Sequence, residues 1–219
     1  DLRSSRADIA IIPAIEYQRI PDLAILRDMA IASKKQVRSL LIVAKKPIEQ
    51  VKSFALDRSS RSTQALTRIL CAEKWRIVPQ FFEALPDLRE MLQQADAALV
   101  IGDPALRISI GIENDSWPGA QGESICHAAT LGITSSELLY VYDVVGEWRE
   151  LTGLPAVLAV WAARRDLATP EMTPDSLASR HFGLSHLAEI SYEAARDLEL
   201  PARALESYLR ENIDFSLDA

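Results

Sequence analysis

The sequence predicts an α/β protein with a mainly parallel sheet and closing C-terminal helices, and three observations carry that expectation. Short apolar runs alternate with stretches of helical spacing. Residues 53–102 read as one unbroken strand–helix–strand–helix–strand unit. From Thr173 onward the patterning is helical throughout. Such alternation is the pattern of parallel strands joined by crossover helices. The 219 residues, 48% of them hydrophobic, can bury a real core and suit one large domain or two small lobes.

Taken in order, residues 7–13 (ADIAIIP) form a short apolar run ending in proline, as a buried strand followed by a turn does. A core strand this near residue 1 predicts that part of a first lobe lies upstream. Residues 23–32 and 37–44 (VRSLLIVA) are two further strands, the second flanked by lysines. Strand 53–57 (SFALD) feeds a turn and then a helix over 62–75, with Ala65, Leu66, Ile69, Leu70 and Ala72 at helical spacing. Strand 77–83, a short helix 87–94 capped by Asp87 and strand 95–102 (ADAALVIG) complete the unit. Residues 107–137, rich in Gly and Ser, lack sustained periodicity and read as a long irregular surface insertion. A strand at 138–145 (LLYVYDVV), a helix at 147–152, a turn at Gly153-Leu154-Pro155 and a buried strand at 156–163 follow. The chain closes with helices at 174–182, 184–198 and 201–212, the last two with Ser185 and Pro201 near their starts.

A net charge of −7 argues against nucleic acid or an anionic membrane surface as partner, since both reward clustered Lys and Arg. An anionic ligand would need local donors. Cys71 and Cys126 form no C-x-x-C or His-rich arrangement, which predicts two free thiols in a reducing compartment, with Cys71 as apolar filler in its helix. No signal-like or membrane-length apolar run is present, so the expected localisation is cytoplasmic.

Four places could carry chemistry. The turn Asp57-Arg58-Ser59-Ser60-Arg61-Ser62-Thr63 joins a strand to a helix, whose first N–H groups and partial positive charge suit an anion. Its hydroxyls and the Arg61 guanidinium add donors for carboxylate or phosphate. A plain N-cap by Ser60 or Ser62 explains the same residues, and no Walker glycines accompany them. Gly102-Asp103-Pro104 ends the next strand in order, where parallel sheets place ligands, although Asp103 can equally cap a helix starting at Pro104. Glu16, in Pro13-Ala14-Ile15-Glu16-Tyr17, could be a base but reads more readily as a solvated helix-start glutamate. Ser39 places a hydroxyl in an apolar strand, where it must find a partner. His127, His181 and His186 sit at neither nucleophile nor metal-ligand spacing, so a hydrolase triad or zinc site is not expected. Trp148 and Trp161 read as core or pocket wall.

In their order and spacing, ADIAIIPAIEY, VRSLLIVAKKP, DRSSRSTQALTRIL, ADAALVIGDPAL and YDVVGEWRELTGLPAVLAVWAAR resemble the chorismate dehydratase family of the futalosine route to menaquinone. The resemblance covers residues 7–165 and is most specific over 147–164. It implies a two-lobed fold like the type 2 periplasmic binding proteins, with ligand in the cleft. On that template residues 1–44 are part of lobe 1 and a hinge strand, 45–137 are lobe 2 with the insertion at 107–137, and 138–219 return to complete lobe 1. The implied activity is a lyase that removes water from chorismate, a dianion, to give 3-[(1-carboxyvinyl)oxy]benzoate, with neither cofactor nor metal. The resemblance places Ser39 in the active site and assigns Ala14, Ser59, Ser60, Arg61, Ser62, Thr63, Gly102 and Asp103 to substrate binding. It expects a proton-abstracting asparagine upstream of residue 1. Two alternatives share the architecture: a 1,4-dihydroxy-6-naphthoate synthase-like enzyme, disfavoured because no histidine lies near these motifs, and an exported solute-binding protein for a small carboxylate.

Overall fold

A computed structural model of the chain describes residues 2–113, 123–133 and 138–216. In chain order the strands are β1 (Ile9–Pro13), β2 (Leu23–Ser33), β3 (Leu40–Ala44), β4 (Ser53–Asp57), β5 (Gln80–Ala84), β6 (Ala97–Ile101), β7 (Glu123–His127), β8 (Leu138–Asp143) and β9 (Ala156–Arg164). The helices are α1 (Arg61–Ile69), α2 (Leu88–Gln94), α3 (Asp103–Glu113), α4 (Val144–Thr152), α5 (Met172–Ser185), α6 (Leu187–Leu198) and α7 (Ala202–Ser207). Two compact units result, residues 1–34 with 156–219, and residues 35–155. The template divided the chain after 44 and 137; the units divide it after 34 and 155, because β3 and β8 lie side by side within the second unit's sheet.

The first unit holds a three-stranded sheet of order β1-β9-β2, antiparallel throughout. Leu2, Ile12, Leu23, Val160 and Ala162 form a small core there. β2 breaks register between Ile25 and Ala30, where Asp28 takes a φ of +60°. Asp214 extends the sheet by a bridge to Ala32, with N–H to O distances of 2.7 and 2.8 Å, and pairs with Lys34 at 2.7 Å. Trp161 lines an apolar cavity of this unit with Met29 and Phe215. Glu16, expected to be solvated, is buried and paired with Arg3 at 3.2 Å and Arg19 at 3.1 Å.

The second unit is a six-stranded sheet of order β5-β4-β6-β3-β8-β7. The unit read from 53–102 is present, with β4 parallel to both β5 and β6. The expectation of mainly parallel sheets is corrected: β3 runs antiparallel to β6 and β8, β7 runs antiparallel to β8, and the sheet is mixed. A strand buried on both faces is apolar throughout in either direction, so apolar runs such as LLIVA carry no sign of strand polarity.

The insertion at 107–137 is also corrected where it is described. Residues 107–113 belong to α3, which buries Ala105, Leu106, Ser109, Ile110 and Ile112. Gly111 and Ser109 lower its local helix propensity, Gly by about 1 kcal/mol, and burial of one face outweighs that. β7 was hidden because its alternation is inverted: Ser124 and Cys126 are buried while Ile125 is 56% exposed. Residues 114–122 and 134–137 of the proposed insertion lie outside the described residues. Ser185 does not start α6 but ends α5, its hydroxyl donating to the Phe182 carbonyl at 2.7 Å. Pro201 does stand at the start of α7. Among the described residues, no helix is long and apolar enough to cross a membrane.

Candidate functional site

The strand register of the second unit brings several chain ends to one border of its sheet. Asp57 of β4 pairs with Ala84 of β5, Leu56 with Leu99 of β6, Leu40 at the start of β3 with Ile101 at the end of β6, and Leu41 with Asp143 at the end of β8. Four helices, α1 to α4, therefore start from this border. Each contributes N–H groups without intrahelical partners and the positive end of its dipole.

At α1, Ser60 is the N-cap: its Oγ accepts from Thr63 N at 3.3 Å and lies 2.8 Å from Thr63 Oγ1. The capping explanation and the anion explanation thus use the same residue. Asp57 Oδ1 accepts from the Ser59 N–H at 2.9 Å and its hydroxyl at 2.7 Å, folding the turn back on the strand end. Ser59 and Arg61 are exposed, whereas Ser62 and Thr63 are buried. α1 presents a different face from the one its spacing suggested. Ser62, Thr63, Thr67 and, beyond the helix, Leu70 and Cys71 point inward, and Ile69 is 41% exposed. Buried hydroxyls on a helix can bond locally, which makes polar residues poor guides to the outward face.

Gly102 has a φ of +66°, a left-handed conformation that glycine adopts without steric cost, and its N–H donates to the Ser39 carbonyl at 2.8 Å. Leu106 N donates to Gly102 O at 2.9 Å, so Asp103 opens α3 as an exposed first-turn residue and Pro104 follows it. Ser39, Gly102, Asp103 and the Ser59 to Thr63 turn accordingly share the border. Ser39 is buried, and it immediately precedes β3 instead of lying within it. Ala14 opens the turn Ala14–Glu16 after β1 and belongs to the first unit.

Asp143 escaped the sequence reading, which took 138–145 as one apolar strand. It ends β8, caps α4 through Oδ1 to Val145 N at 3.0 Å and Gly146 N at 2.9 Å, and also accepts from the N–H groups of Val37 and Arg38. Burial pushes its carboxyl pKa up, and the four N–H groups pull the other way. The available signal was an ionisable residue inside LLYVYDVV, which must find partners once buried. Beyond α1 the helix widens into a π-turn, Leu70–Lys74, and Lys74 Nζ meets Glu147 Oε2 at 2.5 Å and Glu150 Oε2 at 2.7 Å. Burial raises the Glu147 pKa against the pull of Lys74. For Lys74 burial works downward, and its two glutamates overcome it and hold the pKa above the ordinary lysine value. Cys71 and Cys126 are free and buried, and burial pushes the Cys71 thiol up to about 12. Among the described residues, no group of three or more His, Cys, Asp or Glu side chains is gathered as a metal site requires.

The sheet border therefore gathers four helix starts, with a buried serine beside them. Comparison with known proteins gives that arrangement a setting. A family profile described as Menaquinone biosynthesis matches residues 1–219. A chorismate dehydratase of Thermus thermophilus is 27% identical over 212 residues, covering 95% of this chain and 73% of the relative. Among solved structures, an Archaeoglobus fulgidus protein superposes with a TM-score of 0.63 at 18% identity, over 98% of this chain and 75% of that one. An ABC transporter from Parabacteroides distasonis does so with a TM-score of 0.54 at 15% identity, over 98% and 70%. The fold is thus periplasmic-binding-protein-like, as the sequence motifs implied, and the chain belongs to the menaquinone biosynthesis family, that of chorismate dehydratase.

Proposed function

We propose that the protein is a lyase that dehydrates chorismate to 3-[(1-carboxyvinyl)oxy]benzoate. The observation that carries this reading is the convergence of helix starts, Ser39 and Gly102 on one sheet border in a chain of the menaquinone biosynthesis family. Chorismate carries two carboxylates, and both persist in the product. The reaction breaks a ring C–O and a ring C–H bond, releases water and leaves an aromatic ring. Aromatisation supplies the driving force, so the protein must chiefly hold the dianion and orient the departing groups. In this reading the backbone N–H groups, hydroxyls and guanidinium of Ser59, Ser60, Arg61, Ser62 and Thr63 hold a carboxylate. Gly102 and Asp103 let substrate approach the backbone closely. Ser39 orients the ring hydroxyl and assists its departure. The chemistry calls for neither a cofactor nor a metal.

Incubation with chorismate, followed by ultraviolet absorbance and product mass, tests the proposal. Appearance of an aromatic product lighter than chorismate by one water supports it; persistence of chorismate refutes it. The fold likeness to an ABC transporter favours a second reading, a non-catalytic binder of a small carboxylate. Saturable binding of chorismate without product would select that reading.

A further inference from the structure

We propose that Asp143 is a positioning residue for Ser39, holding residues 37–39 in the conformation that presents Ser39 beside Gly102. The inference rests on the dehydration proposed above and adds a residue to its machinery. A helix cap alone does not account for Asp143. Capping α4 needs one acceptor, and Oδ1 supplies it to Val145 and Gly146. Yet the carboxylate also receives the Val37 N–H at 3.2 and 3.1 Å from its two oxygens, and the Arg38 N–H at 2.6 Å from Oδ2, across more than 100 residues of chain. Asp143 has no exposed surface.

The Val37 and Arg38 N–H groups both end on this carboxylate, and Arg38, with a φ of +65°, turns the chain from that anchor toward Ser39 and β3. A left-handed conformation costs a non-glycine residue about 1–2 kcal/mol, so something must hold it. The anchor on Asp143 does so. On the far side of the strained residue, the Ser39 carbonyl accepts from Gly102 N at 2.8 Å and Leu40 enters the sheet opposite Ile101. Ser39 is therefore held from both directions, by sheet pairing after it and by Asp143 before it. Without the second carboxylate oxygen, Arg38 returns to negative φ, the peptide between 38 and 39 rotates, and the Ser39 side chain leaves its place at the border. The Asp143 bonds run to residues 37, 38, 145 and 146, outside the Ser59 to Thr63 turn, so the loss falls on the step that uses Ser39 and not on the carboxylate clamp.

Asp143→Asn and Asp143→Ser separate the two roles, because both residues are good helix caps and neither offers two anionic oxygens. Two readouts apply to each variant: kcat and KM with chorismate, and amide hydrogen exchange in peptides spanning 35–41 and 144–152. Exchange in 35–41 is expected to quicken about tenfold or more while 144–152 stays near the parent value. The kcat is expected to fall about 100-fold, the scale of an ångström misplacement of a reacting group, with KM within about threefold. Unchanged exchange in 35–41 overturns the proposal. So does a kcat near the parent value despite faster exchange, or a KM that rises in step with the loss of kcat. If the parent protein leaves chorismate untouched, the dehydration is refuted, and the exchange arm alone decides whether Asp143 holds residues 37–39.

Discussion

Lys74→Met removes the cation from a largely buried ion pair at nearly constant side-chain length. Glu147 is 4% exposed and the Lys74 side chain 20%, while the second partner, Glu150, reaches solvent. Removing one member of a buried pair costs about 3–5 kcal/mol, because the other charge stays desolvated. The partly exposed ammonium brings the expected loss here to about 2–3 kcal/mol. With a urea slope of about 1–3 kcal/mol per molar, the unfolding midpoint should fall by about 1 M. The pH dependence sharpens the test. Burial already holds the Glu147 pKa above its ordinary value with Lys74 present, and loss of Lys74 raises it further. A native pKa above the unfolded one contributes stability that is fully present below the unfolded pKa and lost as pH rises through the native pKa. The penalty should therefore be complete at a pH above the raised Glu147 pKa and shrink as the pH falls through it, where the stranded carboxyl takes up a proton. Adding Glu147→Gln to Lys74→Met should recover most of the loss at the higher pH. A penalty under about 0.5 kcal/mol at that pH, the size of an ordinary surface change, would refute the argument. A penalty independent of pH, or no recovery in the double variant, would refute it equally.

Arg61→Ala should weaken chorismate binding by about 1.5–3 kcal/mol, the contribution of a charged hydrogen bond, so calorimetry should show a Kd roughly 10- to 150-fold higher. An unchanged Kd would leave Arg61 as a surface residue at the start of α1. Cys71, with its thiol pushed up to about 12 by burial, should resist alkylation in the native state. Peptide mass spectrometry after iodoacetamide treatment should show labelling roughly 100-fold slower than in urea, and equal rates would contradict the burial of that thiol.

Several features were legible without coordinates. The unit β4-α1-β5-α2-β6 follows from apolar runs and helical spacing, since strands and helices differ in side-chain period. The turn Asp57 to Thr63 follows from its hydroxyls and its place between strand and helix, and Asp87 from its position before a helix, where its side chain accepts from Glu90 N at 3.0 Å. Cys71 was read as filler and is buried. Where a signal is local, sequence suffices.

What the sequence could not determine depends on partners distant along the chain. The direction of β3, set antiparallel between β6 and β8, leaves no trace in LLIVA, because both faces are buried in any case. α3 and β7 were hidden in a stretch of weak propensity, and tertiary burial overrode Gly111 and the inverted pattern of Ser124 and Ile125. Asp143 looked like an interruption in an apolar strand until folding brought Val37 and Arg38 to it. By itself the sequence determined the parallel strand–helix unit and the Ser60-capped helix start, both products of local periodicity and capping chemistry. Only the tertiary structure decided that Ser39, Gly102 and the α1 turn meet on one sheet border, and that a buried carboxylate takes up the Val37 and Arg38 N–H groups just ahead of Ser39, because strand register and desolvation join residues that are remote in the chain.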